Sequence, residues 1–234
     1  MKVMLLAAGK GTRMLPLTEH TPKPLLKVGG ISLIEHQLRK LASAGFHEVV
    51  INHAWLGAQL EQALGDGSTL GVQIQWSREA EPLETAGGII QALPLLGEQP
   101  FALVNADLWT DFPFERLQQV LAPGMRAHLV LVPNPQHHPL GDFVLGASGE
   151  LLQRSTETQP AHTYSGIAVF HPKLFAGVTE RKFPLLPLLE QAIKQKAATA
   201  EMYGGTWIDI GTPQRLQELD TRLLADRHIG ESHE

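Results

Sequence analysis

The chain opens on an apolar run, Val3-Met4-Leu5-Leu6-Ala7, that reads as a buried strand and stops at two glycines one residue apart, Gly9 and Gly11. Ser32 and Glu35 form a capping box ahead of Leu33, Ile34, Leu38 and Leu41, which predicts a helix ending at Gly45. Val49-Val50-Ile51 reads as a second buried strand. Leu56, Leu60 and Leu64 share one helical face closed by Gly65, and Val72, Ile74 and Trp76 alternate as strand residues do. A helix from near Thr85 to about Leu93 and a strand at Phe101-Ala102-Leu103-Val104 follow. Strands alternating with helices in this way predict an α/β fold with a largely parallel sheet.

After Asp111 the texture changes. Phe114, Leu117 and Leu121 predict a helix, with Asp111 expected to cap it, and Leu129-Val130-Leu131-Val132 a strand. A loop rich in proline and histidine covers residues 133–141. Phe143-Val144-Leu145, a Ser148-Gly149 turn and Leu151-Leu152 predict an antiparallel hairpin. Thr163 to Phe170 reads as a strand, Leu185 to Lys194 as a helix, Trp207 to Ile210 as a short strand and 213–226 as a closing helix. No internal repeat and no low-complexity linker interrupts this order. One domain of two halves is expected, about 1–110 and about 111–234.

Composition narrows the chemistry. A chain of 234 residues, 43% hydrophobic and 18% charged, is large enough for a buried core and is globular rather than disordered. It contains no cysteine, which rules out disulfides, thiolate zinc sites and thiol nucleophiles. The first strand is too short for a signal peptide and no apolar run approaches a membrane span, so a cytoplasmic location without membrane contact is expected. The formal charge of −5 argues against nucleic acid as a partner. Yet residues 1–27 hold Lys2, Lys10, Arg13, Lys23 and Lys27 against Glu19 alone, a local +4 that leaves −9 for the rest. A small phosphorylated ligand would be drawn to that end.

The residues at that end suit a nucleoside triphosphate. A turn at Gly9 and Gly11 directs backbone N–H groups at one spot, forming a nest for an anion. The small Ala7 and Ala8 admit a ligand close to the backbone. Arg13 adds a planar fork for phosphate oxygens, and Lys23, between Pro22 and Pro24, a point charge. A dinucleotide fingerprint is excluded because Met14 stands where its last glycine would be, and no P-loop pattern is present.

Leu6-Ala7-Ala8-Gly9-x-Gly11-Thr12-Arg13-Met14, with Pro16-Leu17-Thr18 and Pro22-Lys23-Pro24-Leu25, resembles the signature of the sugar-1-phosphate nucleotidylyltransferases. Later segments match in order along nearly the whole chain. The resemblance implies a Rossmann-like three-layer α/β/α nucleotidyltransferase fold with a mixed central sheet. It also implies transfer of a nucleotidyl group from a nucleoside triphosphate to a sugar 1-phosphate, with Mg²⁺ as cofactor. Asp107, at the end of the Val104-Asn105-Ala106-Asp107 strand, and Asp209, in Trp207-Ile208-Asp209-Ile210-Gly211-Thr212, match the family's two metal-binding segments. Ala106 departs from the usual glycine.

The same resemblance assigns Ala7, Ala8, Gly9, Gly11, Thr12, Arg13 and Lys23 to the nucleotide, with Arg13 and Lys23 as the catalytic cations. The segment Glu79 to Gly88 looks like the base-reading loop. Glu79 stands where uridylyl and thymidylyl relatives commonly carry glutamine, and Glu84 where relatives often have glycine. A carboxylate at 79 only accepts, so it suits the N3–H of uracil and excludes cytosine better than guanine. On the sugar side, Gly141-Asp142-Phe143 and Tyr164-Ser165-Gly166-Ile167 resemble pocket-lining segments, and Asn105 is placed to reach a sugar hydroxyl or acetamido group. The usual Glu-Lys-Pro is replaced by Gln153-Arg154-Ser155, and Arg154 or the 137–142 loop is a candidate partner for an extra carboxylate on the sugar.

Within the family, Ile51 to Gly57, Glu81 to Thr85 and the His137-His138 loop look most like the N-acetylmuramate α-1-phosphate uridylyltransferases, which use UTP and supply UDP-MurNAc in cell-wall recycling. The same reaction on glucose-, mannose- or GlcNAc-1-phosphate with UTP or GTP stays open, as does a glycosyltransferase of related fold. Adjacent His137 and His138 have no spaced third ligand and read as a solvated loop rather than a zinc site. No C-terminal β-helix of the kind that trimerises some relatives is expected, and a monomer or small homo-oligomer is.

Overall fold

The computed structural model describes residues 1–156 and 159–231. The first half runs β1 (Val3–Leu6), β2 (Lys27–Val28), β3 (Ile31–Ser32), α1 (Leu33–Ser43), β4 (Glu48–His53), α2 (Gly57–Leu64), β5 (Gln73–Arg78) and α3 (Glu84–Leu96). Then come β6 (Phe101–Asn105), β7 (Leu108–Thr110), β8 (Ala127–Val132), β9 (Phe143–Leu145), β10 (Leu151–Gln153) and β11 (Thr163–Phe170). The chain closes with α4 (Leu186–Lys194), β12 (Ala198–Met202), β13 (Trp207–Asp209) and α5 (Pro213–Glu231).

One seven-stranded sheet, ordered β12-β8-β11-β6-β1-β4-β5, crosses the molecule. Strand β11 is antiparallel to both β6 and β8, and the other pairs are parallel, so the sheet is mixed. Alternation along β1 divides the core. Val3 and Leu5 pack with Ile34, Leu38 and Leu41 of α1 and Leu60 of α2. Met4 faces the other way, onto Ala86 and Ile89 of α3, in a cluster that includes Leu188 and Leu189 of α4. Three layers follow from the two-residue period of a strand whose faces are both covered. Truncating a fully buried leucine such as Leu38 would cost about 2–5 kcal/mol. Ser32 caps α1 as its pattern predicts, its Oγ accepting from the Glu35 N–H at 3.3 Å.

Sequence expectations change at four points. Residues Phe114–Gln119 form a 3₁₀ turn, not an α-helix, and no side chain caps it. Asp111 instead accepts a hydrogen bond from the Tyr203 hydroxyl. Strand β12 was not foreseen, because Ala198-Thr199-Ala200-Glu201-Met202 has little intrinsic β preference and extends only by pairing with β8. Strand β7 likewise exists through its antiparallel register with β13. Among the described residues, no helix is long and apolar enough to cross a membrane.

Candidate active site

Strand β1 lies between β6 and β4, with Leu6 opposite both Asn105 and Asn52. The chain leaves β1 toward β4 and β5, then returns to its other side at β6. This reversal opens a crevice at the carboxyl ends of parallel strands, where α/β sheets bind ligands. A cavity of about 400 Å³ occupies it, a size suited to a small ligand. Its walls include Ala7, Ala8, Gly9, Gly11, Thr12 and Arg13 from the loop after β1. Lys23, Asn105 and Asp107 enter from one side, Glu79 and Glu84 from the other.

The loop owes its shape to its glycines. Gly11 has φ +63°, and a Cβ there would lie 2.9 Å from Thr18 Cγ2 and 3.3 Å from Lys23 Cβ. The buried Thr18 hydroxyl donates to the Gly11 carbonyl at 2.8 Å, tying the turn to the segment that carries Lys23. At Gly9 a Cβ would meet no protein atom within 4 Å, so the space it leaves belongs to the cavity. Lys23 is 8% exposed and starts a 3₁₀ turn, Lys23–Leu25, between two prolines. Its ammonium makes an ion pair with Asp107.

Asp209 arrives from the far end of the chain. Strand β13 sets it opposite Leu108 of β7, and the Ile210 N–H donates to the Asp107 carbonyl at 3.1 Å. The two aspartates therefore stand on facing backbone segments. Arg215 of α5 donates to Asp209 Oδ2 at 2.8 Å. Among the described residues, no cluster of three or more His, Cys, Asp or Glu side chains could by itself hold a metal ion. A metal here would need ligand oxygens from a substrate beside the two hard carboxylates, which is how Mg²⁺ binds at phosphate sites.

Glu79 is 6% exposed, and its oxygens accept from Asn52 Nδ2 at 2.6 Å and the Leu83 N–H at 3.0 Å. Burial raises its pKa above the ordinary carboxylate value, against the lowering effect of those hydrogen bonds. Glu84 has φ +62°, which accounts for the glycine that the family resemblance leads one to expect. Gly88 does not line the cavity. It lies behind Glu79, where a Cβ would come 2.7 Å from Glu79 Oε1 and 2.9 Å from Asn52 Nδ2. Its role is to admit that pair.

The expected sugar residues sit farther out, and among the described residues Gly141, Asp142, Arg154, Ser165 and Gly166 are not walls of the cavity. Gly166, at φ +80°, packs on Asn105, with a would-be Cβ 2.5 Å from Nδ2. Gly141, at φ +64°, presses on Ala161. Asp142 accepts from His138 Nε2 at 2.9 Å and the Tyr164 N–H at 2.8 Å. The Ser165 hydroxyl accepts the Ile167 N–H at 3.1 Å, and half-buried Arg154 donates to the Leu140 carbonyl at 2.9 Å. Of these, Gly166 is the residue that packs against Asn105.

Sequence reasoning missed Asn52 and Arg215. Asn52 is visible afterwards as a polar residue at the end of an apolar strand, whereas Arg215 carries no such signal.

A family model described as nucleotidyl transferase matches residues 2–226. The chain belongs to the nucleotidyl transferase family. It is 48% identical to the N-acetylmuramate alpha-1-phosphate uridylyltransferase of Neisseria meningitidis serogroup B, over 93% of this chain and 96% of that one. The enzyme of the same name from Caulobacter vibrioides is 32% identical, over 94% and 96%. Among solved structures, a Bacillus anthracis protein assigned as a glucose-1-phosphate thymidylyltransferase superposes with a TM-score of 0.83 at 20% identity, covering 96% and 95%. HddC from Yersinia pseudotuberculosis, in complex with GMP-PN, superposes with a TM-score of 0.76 at 17% identity, covering 94% and 98%. These two likenesses concern the fold. As a nucleotidyl transferase the protein is an enzyme, and the crevice at β1, β4 and β6 is where its family motif converges.

Proposed function

We propose that the protein transfers a uridylyl group from UTP to N-acetylmuramic acid α-1-phosphate, releasing pyrophosphate and giving UDP-MurNAc for peptidoglycan recycling in the cytoplasm. The observation that carries the transfer is the convergence of the glycine loop, Arg13, Lys23 and Asp107 on one cavity. Support for the muramate substrate comes from the names of the two relatives. The half up to about residue 110 takes the nucleotide, and the half from about 111 takes the sugar.

A phosphate monoester has a second pKa near ~6, so the attacking oxygen is largely anionic at neutral pH and needs no general base. Positioning and charge neutralisation are what remain to be supplied. Lys23 takes the α-phosphate, where negative charge builds as the new bond forms. Arg13 and the amides of Gly9 to Thr12 hold the β- and γ-phosphates, keeping pyrophosphate in line as it leaves. Glu79, whose oxygens keep unused lone pairs, accepts N3–H of the uracil. Asn105, fixed by Gly166, meets the sugar. Asp107 and Asp209 would hold a Mg²⁺ ion, whose charge would offset that of the phosphates.

Incubation with UTP, GTP and dTTP against MurNAc-, GlcNAc-, glucose- and mannose-1-phosphate, read by pyrophosphate release, tests this. The expected result is turnover with UTP and MurNAc-1-phosphate at the highest catalytic efficiency. Preference for another sugar would replace the muramate assignment, and no pyrophosphate from any pair would end the proposal.

A further inference from the structure

We propose that Arg215 is a positioning residue that makes the Asp107–Asp209 pair accept a divalent cation only together with a nucleoside triphosphate. The inference rests on the metal–triphosphate reading given above. Arg215 stands in the first turn of α5, where Thr212 Oγ1 accepts from both its backbone N–H and its Nε, each at 3.3 Å. Its Nη1 donates to the carbonyl and to Oδ2 of Asp209, both at 2.8 Å, and lies 3.2 Å from His137 Nε2. The guanidinium is thus fastened to helix and strand at once. His137 also approaches Oδ2, at 3.6 Å, so these contacts gather on one oxygen of Asp209.

Three positive side chains surround the two carboxylates. Lys23 pairs with Asp107, and Arg215 with Asp209. Arg13 is the third, because a Cβ at Gly211 would lie 3.3 Å from Arg13 Nη1 and 3.0 Å from Arg215 Nη2. The Arg215 and Asp209 side chains are only 19% and 21% exposed, so their interaction is less screened than that of a surface pair. A bare divalent cation entering this group meets an excess of positive charge. A triphosphate reverses the balance, drawing Lys23 and Arg13 onto its own oxygens and bringing several negative charges beside the incoming metal. Arg215, tethered by Thr212, stays beside Asp209. The cation and the nucleotide then enter as a matched set.

The test is Mn²⁺ binding followed by electron paramagnetic resonance, with and without α,β-methylene-UTP, a probe that cannot undergo transfer. The wild type should bind Mn²⁺ poorly alone and strongly with the analogue. Arg215→Gln should tighten binding of Mn²⁺ alone by about tenfold, and the gain from the analogue should shrink by a similar factor. Arg215→Lys keeps the charge and should keep the wild-type dependence on nucleotide. Should the glutamine variant fail to fold, Arg215→Met carries the same expectation. Unchanged or weaker binding of Mn²⁺ alone in a folded neutral variant overturns the role of Arg215 while leaving the proposed function in place. Absence of Mn²⁺ binding by the wild type with the analogue overturns the metal–triphosphate reading itself.

Discussion

Asn52 donates to Glu79 Oε1 at 2.6 Å while its own Oδ1 accepts the Ala7 N–H at 2.9 Å. A single amide, 2% exposed, thereby links the glycine loop after β1 to the loop leading into α3. Both partners are largely buried, so the amide supplies most of what holds them.

Removing that amide should therefore cost both stability and nucleotide affinity. Asn52→Ala leaves the Ala7 N–H and one Glu79 oxygen without their partner, a loss of about 2–3 kcal/mol measurable by urea denaturation. KM for UTP should rise more than kcat falls, because the loops are misplaced before chemistry begins. Unchanged stability would show that the surrounding chain relaxes to satisfy both groups.

Lys23 is the residue whose loss should hurt turnover most. Lys23→Met should lower kcat/KM by about a hundredfold or more, the scale for losing one charged contact to a transition state. Lys23→Arg should not restore it, since a wider fork does not fit a site that leaves the lysine 8% exposed between two prolines. Pyrophosphate release in steady state measures both. Activity within a few-fold of wild type in the methionine variant would remove Lys23 from the mechanism.

Gly166→Ala places a methyl group 2.5 Å from Asn105 Nδ2 at a backbone φ of +80°. The expected cost is about 1–3 kcal/mol from the crowding and the left-handed backbone together. Asn105 must also turn, so KM for the sugar phosphate should increase while KM for UTP holds. An equal rise in both would mean that Asn105 does not address the sugar.

Glu84 tests the backbone rather than the side chain. At φ +62° glycine is the relaxed residue, and Glu84→Gly should be neutral or stabilising by up to about 1 kcal/mol. Glu84→Val, β-branched in the same conformation, should destabilise by about 1–2 kcal/mol. Paired thermal melts decide it, and a valine variant as stable as wild type would mean that the turn has reorganised.

His128 predicts a specific acid sensitivity. Its imidazole is 5% exposed, with Nδ1 2.9 Å from the Thr199 hydroxyl, and burial together with the Arg116 charge lowers its pKa from 6.5 to about 4. Glu201, 3.6 Å from Nε2, is itself paired with Arg116. Because the unfolded chain takes up this proton first, the contribution is intact above pH 6.5 and is lost as pH falls to about 4. The difference corresponds to about 3 kcal/mol. His128→Gln should flatten that part of the stability profile between pH 6.5 and 4, measured by urea denaturation at each pH. An unchanged slope would place the acid sensitivity elsewhere.

What the amino-acid order determined by itself was local. The apolar run before Gly9, the Ser32–Glu35 capping box and the alternation of Val72, Ile74 and Trp76 each depend on neighbours a few positions apart, and each became the expected element. The glycines after β1 and Lys23 were legible as walls of one crevice because a tight turn and a proline-flanked cation leave their mark within one stretch of chain. Tertiary structure decided the rest. Ala198–Met202 is a strand only because β8 offers it a partner, and Asp111 gave up capping for a hydroxyl 92 residues away. Asn52 meets Glu79 across 27 residues, and the segment bearing Asp209 and Arg215 is brought to Asp107 by the pairing of β13 with β7. Such partners are set by sheet order, so no local pattern marks them, and their chemistry emerges only when the crevice closes around them.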